Sequence, residues 1–208
     1  MYDDVLIPTD GSDDTRRSIE HGLTIAERFD ATVHALSIVP EGPLGTFESE
    51  DAAPAARRAV DHVAFEADRR GIDAATAVRQ GVPHEEILNY ADEEGIDAIV
   101  MGTQGRTGLD RVLVGSVTER IVRMADIPVV TVRLAEDLRI EGEDEAERLA
   151  RDALEDRGDD PETPLSGQIY RISGTWRVPF ETSADEPLEA HVDGVTGDVT
   201  FDRPGADA

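Results

Sequence analysis

The chain has 208 residues, 39% of them hydrophobic, and its 46 acidic against 20 basic residues give a formal net charge of −26. Such a length predicts one or two packed domains, and such a charge disfavours nucleic acid as a partner. Cysteine is absent, which excludes disulfides and thiolate catalysis. No apolar run approaches the ~18 residues of a membrane span, and the first residues lack a signal peptide's basic start. We therefore expect a cytoplasmic protein without a membrane partner.

All 20 basic residues are arginine, and lysine is absent. A chain this acidic repels itself, and molar salt screens that repulsion because the Debye length falls to roughly 3 Å. The composition therefore favours a halophilic, archaeal source with a salt-loaded cytoplasm. A mesophilic protein that happens to be acidic is the alternative.

Strand-like and helix-like segments alternate from residue 1 to about 133. Short apolar runs predict strands at 5–9, 32–39, 74–79, 98–101 and 127–132, and amphipathic segments predict helices after Ser12 and over 52–70, 83–94 and 117–124. Strands separated by helices indicate an α/β fold, an open parallel sheet with helices on both faces. Ligands of such sheets bind beyond the carboxyl ends of the strands, where the strand order reverses.

The pattern changes near residue 136. A charged stretch leads into a helical stripe over 146–154, and short strand-like segments follow at 169–172, 175–180, 188–192 and 199–201. Gly174, between the first two, suggests a hairpin. We therefore predict two domains: a nucleotide-binding domain over 1–135 and a small, acidic α+β accessory domain over 136–208.

A glycine-rich segment carries the clearest functional signal. Gly102 and Gly105 follow the fourth predicted strand, and nine residues later Gly115 and Ser116 open a helix. Phosphate approaches the backbone most closely where no Cβ intervenes, and a helix N-terminus offers N–H groups and the positive end of its dipole. The segment therefore predicts a nucleotide site. Glycines used only as turn residues and Ser116 as a plain N-cap are the alternatives.

The polar side chains around this segment have predicted roles. The backbone N–H groups of Gly115 and Ser116 would point at phosphates, and the hydroxyls of Ser116 and Thr118 would donate to them. Arg106 supplies a nearby cation. Asp10, in the loop after the first strand, would accept hydrogen bonds from ribose hydroxyls, although Asp10-Gly11 is also a common turn pair.

Two stretches resemble the universal stress protein family. Residues 5–12 (VLIPTDGS) resemble its first strand and loop, and residues 102–133 resemble its C-terminal signature, including the G-x2-G-x9-G-[S/T] pattern of the ATP-binding branch at Gly102, Gly105, Gly115 and Ser116. The resemblance implies a five-stranded sheet in the order 3-2-1-4-5, ATP as the ligand with Mg²⁺ left open, and a homodimer through Val129–Val132. It also implies that the backbone of Ile38 binds adenine.

Motif and resemblance together predict one set of nucleotide-binding residues and no catalytic residue. The set is Pro8, Thr9, Asp10, Ile38, Met101, Gly102, Gly105, Arg106, Gly115, Ser116, Val117 and Thr118.

The predicted function is that of a stress-response regulator that binds ATP and relays its state through a dimer or the accessory domain. A slow ATPase or phosphotransferase is one alternative, with Thr107 or Asp110 positioning water. Asp110 stands where many relatives carry a neutral or basic residue, and it would lower the local positive potential. A nucleotide-free interaction module is the other alternative.

The tail, roughly 143–203, is similar to a PepSY-type domain in its helix, in the strands around Tyr170 and Trp176, and in residues 192–199. A generic α+β accessory domain is the alternative. The five histidines show no metal-ligand spacing, so no metal site is predicted. We expect His34 to be a satisfied strand residue and the other four histidines to face solvent.

Overall fold

The computed structural model describes residues 2–40, 52–103, 115–133, 138–181 and 187–203. The chain forms two compact units, Met1–Leu134 and Ala135–Ala208. Among the described residues, no helix is long and apolar enough to cross a membrane.

The first unit alternates strands and helices, as the sequence pattern predicts. Its elements are β1 (Asp4–Pro8), α1 (Arg16–Phe29, after a 3-10 turn at Asp13–Thr15), β2 (Thr32–Pro40), α2 (Ala52–Asp68), β3 (Ala74–Gly81), α3 (Pro83–Glu93), β4 (Ala98–Gly102), α4 (Ser116–Met124) and β5 (Val129–Val132). All strands pair in parallel, in the order β3-β2-β1-β4-β5. The predicted fold class and strand order are confirmed.

Helices cover both faces of this sheet. Ile19 and Leu23 of α1 and Val60 of α2 pack on one face, in a cluster with Val5, Ile7 and Val33. On the other face Ile87 of α3 and Ile121 of α4 join a second cluster. Every residue of β4 is buried, as its unbroken apolar run predicts.

Most strand boundaries lie within one or two residues of the prediction, and the start of β5 has a clear physical reason for its difference. β5 begins at Val129 and not at Ile127. The reason is Pro128, which has no N–H to give to the sheet. Its carbonyl still accepts a hydrogen bond from the Ile99 N–H at 3.0 Å.

The second unit contains one helix and an antiparallel sheet within its described residues. The elements are α5 (Glu143–Arg157), β6 (Tyr170–Ile172), β7 (Thr175–Phe180), β8 (Leu188–Asp193) and β9 (Val199–Asp202), with the strands in that order across the sheet. Trp176 is buried in the core, and its indole N–H donates to the carbonyl of Ile140 at 2.8 Å. Ser173 and Gly174, with φ of 47° and 76°, form the hairpin turn.

Candidate functional site

The strand order reverses between β1 and β4, which are paired neighbours. Val5 pairs with Ala98 and Leu6 with Ile99. The loops that follow these two strands therefore begin side by side at the carboxyl edge of the sheet. This crevice is where an α/β sheet binds its ligand.

The loop after β1 is fixed by its own hydrogen bonds. The Thr9 N–H donates to the carbonyl of Leu36 at 2.9 Å, and the Gly11 N–H donates to Oγ1 of Thr9 at 3.1 Å. Oδ1 of Asp10 accepts from the Ser12 N–H at 2.9 Å and from its hydroxyl at 2.6 Å. The turn role of Asp10 is thus realised, and its predicted role toward ribose depends on a ligand.

β2 extends past the end of β1. The last residue pair between them is Pro8 with Leu36, and β2 continues to Pro40. The Thr32 N–H donates to Asp3, and the Leu36 carbonyl accepts from Thr9, so even-numbered residues of β2 direct their backbone groups toward β1. Ile38 is the next even residue. Its N–H and C=O therefore face the edge of the crevice beyond the end of β1.

The first turn of α4 is attached to the end of β4. The buried Thr118 hydroxyl donates to the carbonyl of Gly102 at 2.8 Å, and the Gly115 N–H donates to the carbonyl of Thr103 at 2.6 Å. Both groups were expected to donate to phosphate. Each group has one proton, which is engaged in these contacts, so both groups hold the helix start to the end of β4; their binding to phosphate stays a prediction.

Three backbone N–H groups remain at this helix start. Ser116, Val117 and Thr118 are the first residues of α4, so their N–H groups have no acceptor within the helix. They also form no hydrogen bond with any other described residue. Ser116 is exposed. The helix N-terminus therefore presents three donors beside the end of β4.

The backbone conformation at Gly115 does not itself require glycine. Its φ and ψ of −59° and 148° are open to any residue. A positive φ is therefore not why glycine suits this position. We expect glycine here to leave room for a ligand in front of the α4 N-terminus.

The other predicted site residues fall into two groups. Pro8 and Met101 are buried at the ends of β1 and β4, and Val117 is half-buried. The predicted Gly105 and Arg106 lie in 104–114, outside the described residues, as do Thr107 and Asp110.

The β1 side of the crevice is acidic. Burial raises the pKa of Asp14, and the negative charges of Asp10 and Asp13 raise it further. Among the described residues, no three or more histidine, aspartate or glutamate side chains are placed to hold a metal ion. An anionic ligand would therefore need its positive partners from the β4–α4 side.

The histidines are more buried than expected. His34 is a satisfied strand residue, as predicted: Nε2 contacts Oδ1 of Asp4 at 2.9 Å, and Nδ1 contacts the Tyr90 hydroxyl at 3.0 Å. The expectation that the other four face solvent is wrong for His62, His84 and His191, which are all buried. Each of these histidines lies on the buried face of its helix or strand. The expectation came from residue type, whereas the position along the helix or strand decides which face a side chain occupies.

A buried polar cluster in the second unit was not predicted. Nη1 of Arg177 and Nε2 of His191 each lie 3.1 Å from Oε1 of Glu189, and Arg177 also contacts the imidazole. The three residues occupy alternate positions on β7 and β8, on the face opposite Trp176 and Val192. That alternation is visible in the sequence, but the burial of this second face is not.

Comparisons with known proteins agree with this fold. The model of the universal stress protein family matches residues 1–133. Universal stress protein MJ0531 of Methanocaldococcus jannaschii is 38% identical over 141 residues, which are 64% of this chain and 83% of that protein. The solved structure of MJ0577 is 27% identical, with a TM-score of 0.57, and the match covers 66% of this chain and 99% of the other.

A universal stress protein from Archaeoglobus fulgidus, solved in complex with dAMP, shares the fold. It has 20% identity and a TM-score of 0.52, and the match covers 62% of this chain and 97% of the other. The family match spans well over half of the chain and coincides with the parallel sheet and its crevice. The chain therefore belongs to the universal stress protein family.

Proposed function

We propose that the first unit binds an adenine nucleotide, with ATP as the expected ligand, and that the protein acts as a stress-response regulator. The observation that carries this proposal is the set of N–H groups at Ser116, Val117 and Thr118, which have no acceptor among the described residues and lie beside the reversal of strand order. Helix N-terminal amides at such a crevice suit phosphate oxygens.

The other end of the crevice suits the base. Adenine offers a donor and an acceptor on one edge, and an exposed strand segment offers the complementary C=O and N–H. Ile38 presents both groups beyond the end of β1. The A. fulgidus relative was solved with an adenine nucleotide, dAMP, which supports adenine as the base.

The acidic loop after β1 bears on the form in which the nucleotide binds. Asp10, Asp13 and Asp14 would repel a free triphosphate. Mg²⁺ binds a few carboxylates together with substrate phosphates, and Asp10 would be its protein ligand here. The Mg²⁺ complex of ATP is therefore the proposed ligand form.

Regulation is favoured over catalysis because no general base was found in the sequence beside the expected phosphates. A slow ATPase or phosphotransferase would need Thr107 or Asp110 to position water. Steady-state phosphate release tests this choice: a rate of ~1 s⁻¹ or more, as is typical of enzymes, would contradict regulation by binding alone. A nucleotide-free interaction module is the remaining alternative.

The proposal extends to the dimer, the second unit and the cellular location. A homodimer would form through the outer edge of β5, and the second unit, with its PepSY-type resemblance, would be an accessory domain. A cytoplasmic location in a halophilic archaeon fits the chain's charge of −26.

The test begins with the purified protein. Denaturation should release a small molecule with the mass of an adenine nucleotide, or, if the site is empty, ATP with Mg²⁺ should raise the melting temperature in molar KCl. If no nucleotide is released and millimolar ATP produces no thermal shift, the proposal is contradicted and the interaction module is favoured.

A further inference from the structure

Arg120 lies on the second turn of α4 and reaches toward α3. Its Nη1 is 3.4 Å from Nε2 of His84. His84 is the second residue of α3, which begins directly after β3 ends at Gly81. All strands of this sheet run parallel, so the first turn of α3 lies at the carboxyl edge. The contact therefore places the Arg120 guanidinium at the same edge as the crevice.

Helix geometry brings the same guanidinium near the α4 N-terminus. Arg120 follows Ser116 by four residues and so lies on the same side of the helix. Side chains on a helix tilt toward its N-terminus and cover the preceding turn. The Arg120 side chain is therefore expected to extend along the first turn of α4, whose N–H groups have no acceptor among the described residues.

Arg120 forms no ion pair with any described carboxylate, whereas Arg123, on the same helix, forms one with Glu119 at 2.8 Å. A carboxylate is close by, since Oε1 of Glu85 lies 3.9 Å from Nε2 of His84, the atom that Arg120 contacts. In this contact Nε2 of His84 is the acceptor, because a guanidinium can only donate. Since Arg120 is exposed, its guanidinium is able to turn toward an anion.

We propose that Arg120 binds the polyphosphate tail of the nucleotide and makes the site select nucleoside di- and triphosphates over the uncharged nucleoside. This inference rests on the nucleotide site proposed above. Without ligand, His84 holds the guanidinium by accepting its hydrogen bond. With ligand, phosphate oxygens replace the imidazole, because a charge-assisted bond to phosphate is stronger than one to a neutral ring. Arg120 would thus complete the amide site with a full positive charge.

The experiment compares ligands that differ in charge, by calorimetric titration at one fixed salt concentration. ATP and adenosine are titrated into the wild type, Arg120→Gln, Arg120→Lys and Arg123→Gln. We expect Arg120→Gln to weaken ATP about tenfold, as for one lost charge-assisted bond, and to leave adenosine within twofold. Arg120→Lys should recover part of the loss. Arg123→Gln, the matched control, should change neither ligand.

The outcomes separate this inference from the proposed function. If the wild type binds neither ligand, the nucleotide site itself is contradicted, and the inference with it. If the wild type binds ATP and Arg120→Gln binds it equally well, only the role of Arg120 is contradicted. Equal weakening of ATP and adenosine in Arg120→Gln would also contradict that role, since it would mean a structural effect on the whole site.

Discussion

Gly115 is the residue at which the proposed site is most sharply tested. Its extended backbone accepts a side chain without strain, so Gly115→Val should fold while placing two methyl groups in front of the α4 N-terminus. We expect ATP affinity to fall tenfold or more and the free energy of unfolding to change by about 1 kcal/mol, the usual cost of replacing an N-cap glycine by a β-branched residue. Titration calorimetry and urea unfolding measure the two quantities.

Gly142 offers a matched control for this substitution. It is the N-cap of α5, with φ and ψ of −116° and 148°, and an added Cβ would meet nothing within 4 Å. Gly142→Val should therefore show a similar loss of stability and no loss of ATP binding. Unchanged ATP affinity in Gly115→Val would count against the site assignment.

His191 makes the second unit sensitive to acid. Burial lowers the pKa of His191, and the neighbouring Arg177 charge lowers it further. The unfolded chain therefore takes up the proton more readily than the folded one, and stability should fall as the pH drops below about 6.5, the ordinary pKa of histidine. Besides Arg177, the titratable groups on the described part of this sheet face are Tyr170, Glu189, Asp193 and Asp202.

Trp176, the chain's one tryptophan, reports on this unit alone, so urea unfolding followed by its fluorescence at pH 8, 7, 6 and 5.5 measures the effect. His191 is also the one histidine beyond residue 134. In His191→Gln the midpoint should become nearly independent of pH between 7 and 5.5. A slope as steep as in the wild type would assign the titration to another group.

Glu189 does not interfere: burial opposes its ionisation, but His191 and Arg177 hold its pKa below the ordinary value.

The sequence predicts which residue types would form the proposed site but not how their donors are used. Gly102, Gly115 and Ser116 are predicted from their spacing, because glycines that follow a strand and open a helix suit a phosphate-binding loop. That the Thr118 hydroxyl is engaged depends on a carbonyl 16 residues away. The contact between Arg120 and His84 depends on the packing of α4 against α3, which no local sequence pattern predicts.

At the scale of elements, periodicity predicts the strands and helices, and the strand register decides which backbone groups face the crevice. The order β3-β2-β1-β4-β5 came from the family resemblance and is confirmed. The extension of β2 beyond β1 follows from the pairing of Pro8 with Leu36. A one-residue shift would turn the Ile38 backbone groups toward β3, so this feature of the site could not be derived from the sequence.

β5 provides the prediction that belongs to this scale. The carbonyls of Pro128 and Val132 accept hydrogen bonds from β4, so the odd-numbered residues of β5 direct their N–H and C=O groups away from the sheet. Thr131 is exposed on that free edge. Thr131→Pro removes an outward N–H and leaves the ladder to β4 intact, because proline is tolerated on edge strands.

If the proposed homodimer pairs β5 strands, Thr131→Pro should be monomeric at concentrations where the wild type is dimeric. Light scattering after size-exclusion chromatography measures the mass. Thr131→Val, which retains the N–H, should remain a dimer. A dimeric proline variant, or a monomeric wild type, would contradict this interface.

At the scale of the whole molecule, charge is distributed unevenly between the units. Residues 1–134 hold 25 acidic residues against 13 arginines, a net −12, and residues 135–208 hold 21 against 7, a net −14. The second unit carries the larger charge on the shorter stretch of chain. Self-repulsion opposes the compact state, and it should therefore weaken the second unit more than the first at low salt.

Salt should consequently stabilise the two units to different extents. Between 0.1 and 2 M KCl, we expect the melting temperature followed by Trp176 fluorescence to rise by about 5 °C or more, since ~1 kcal/mol shifts a small domain by roughly 4–8 °C. The transition followed by loss of ATP binding, which reports on the first unit, should rise less. Sucrose is the control, because it strengthens burial without screening charge. It should shift both transitions by similar amounts. Equal shifts in KCl would mean that repulsion within the second unit does not limit its stability. The high content of acidic residues would then have to affect stability through hydration of the surface.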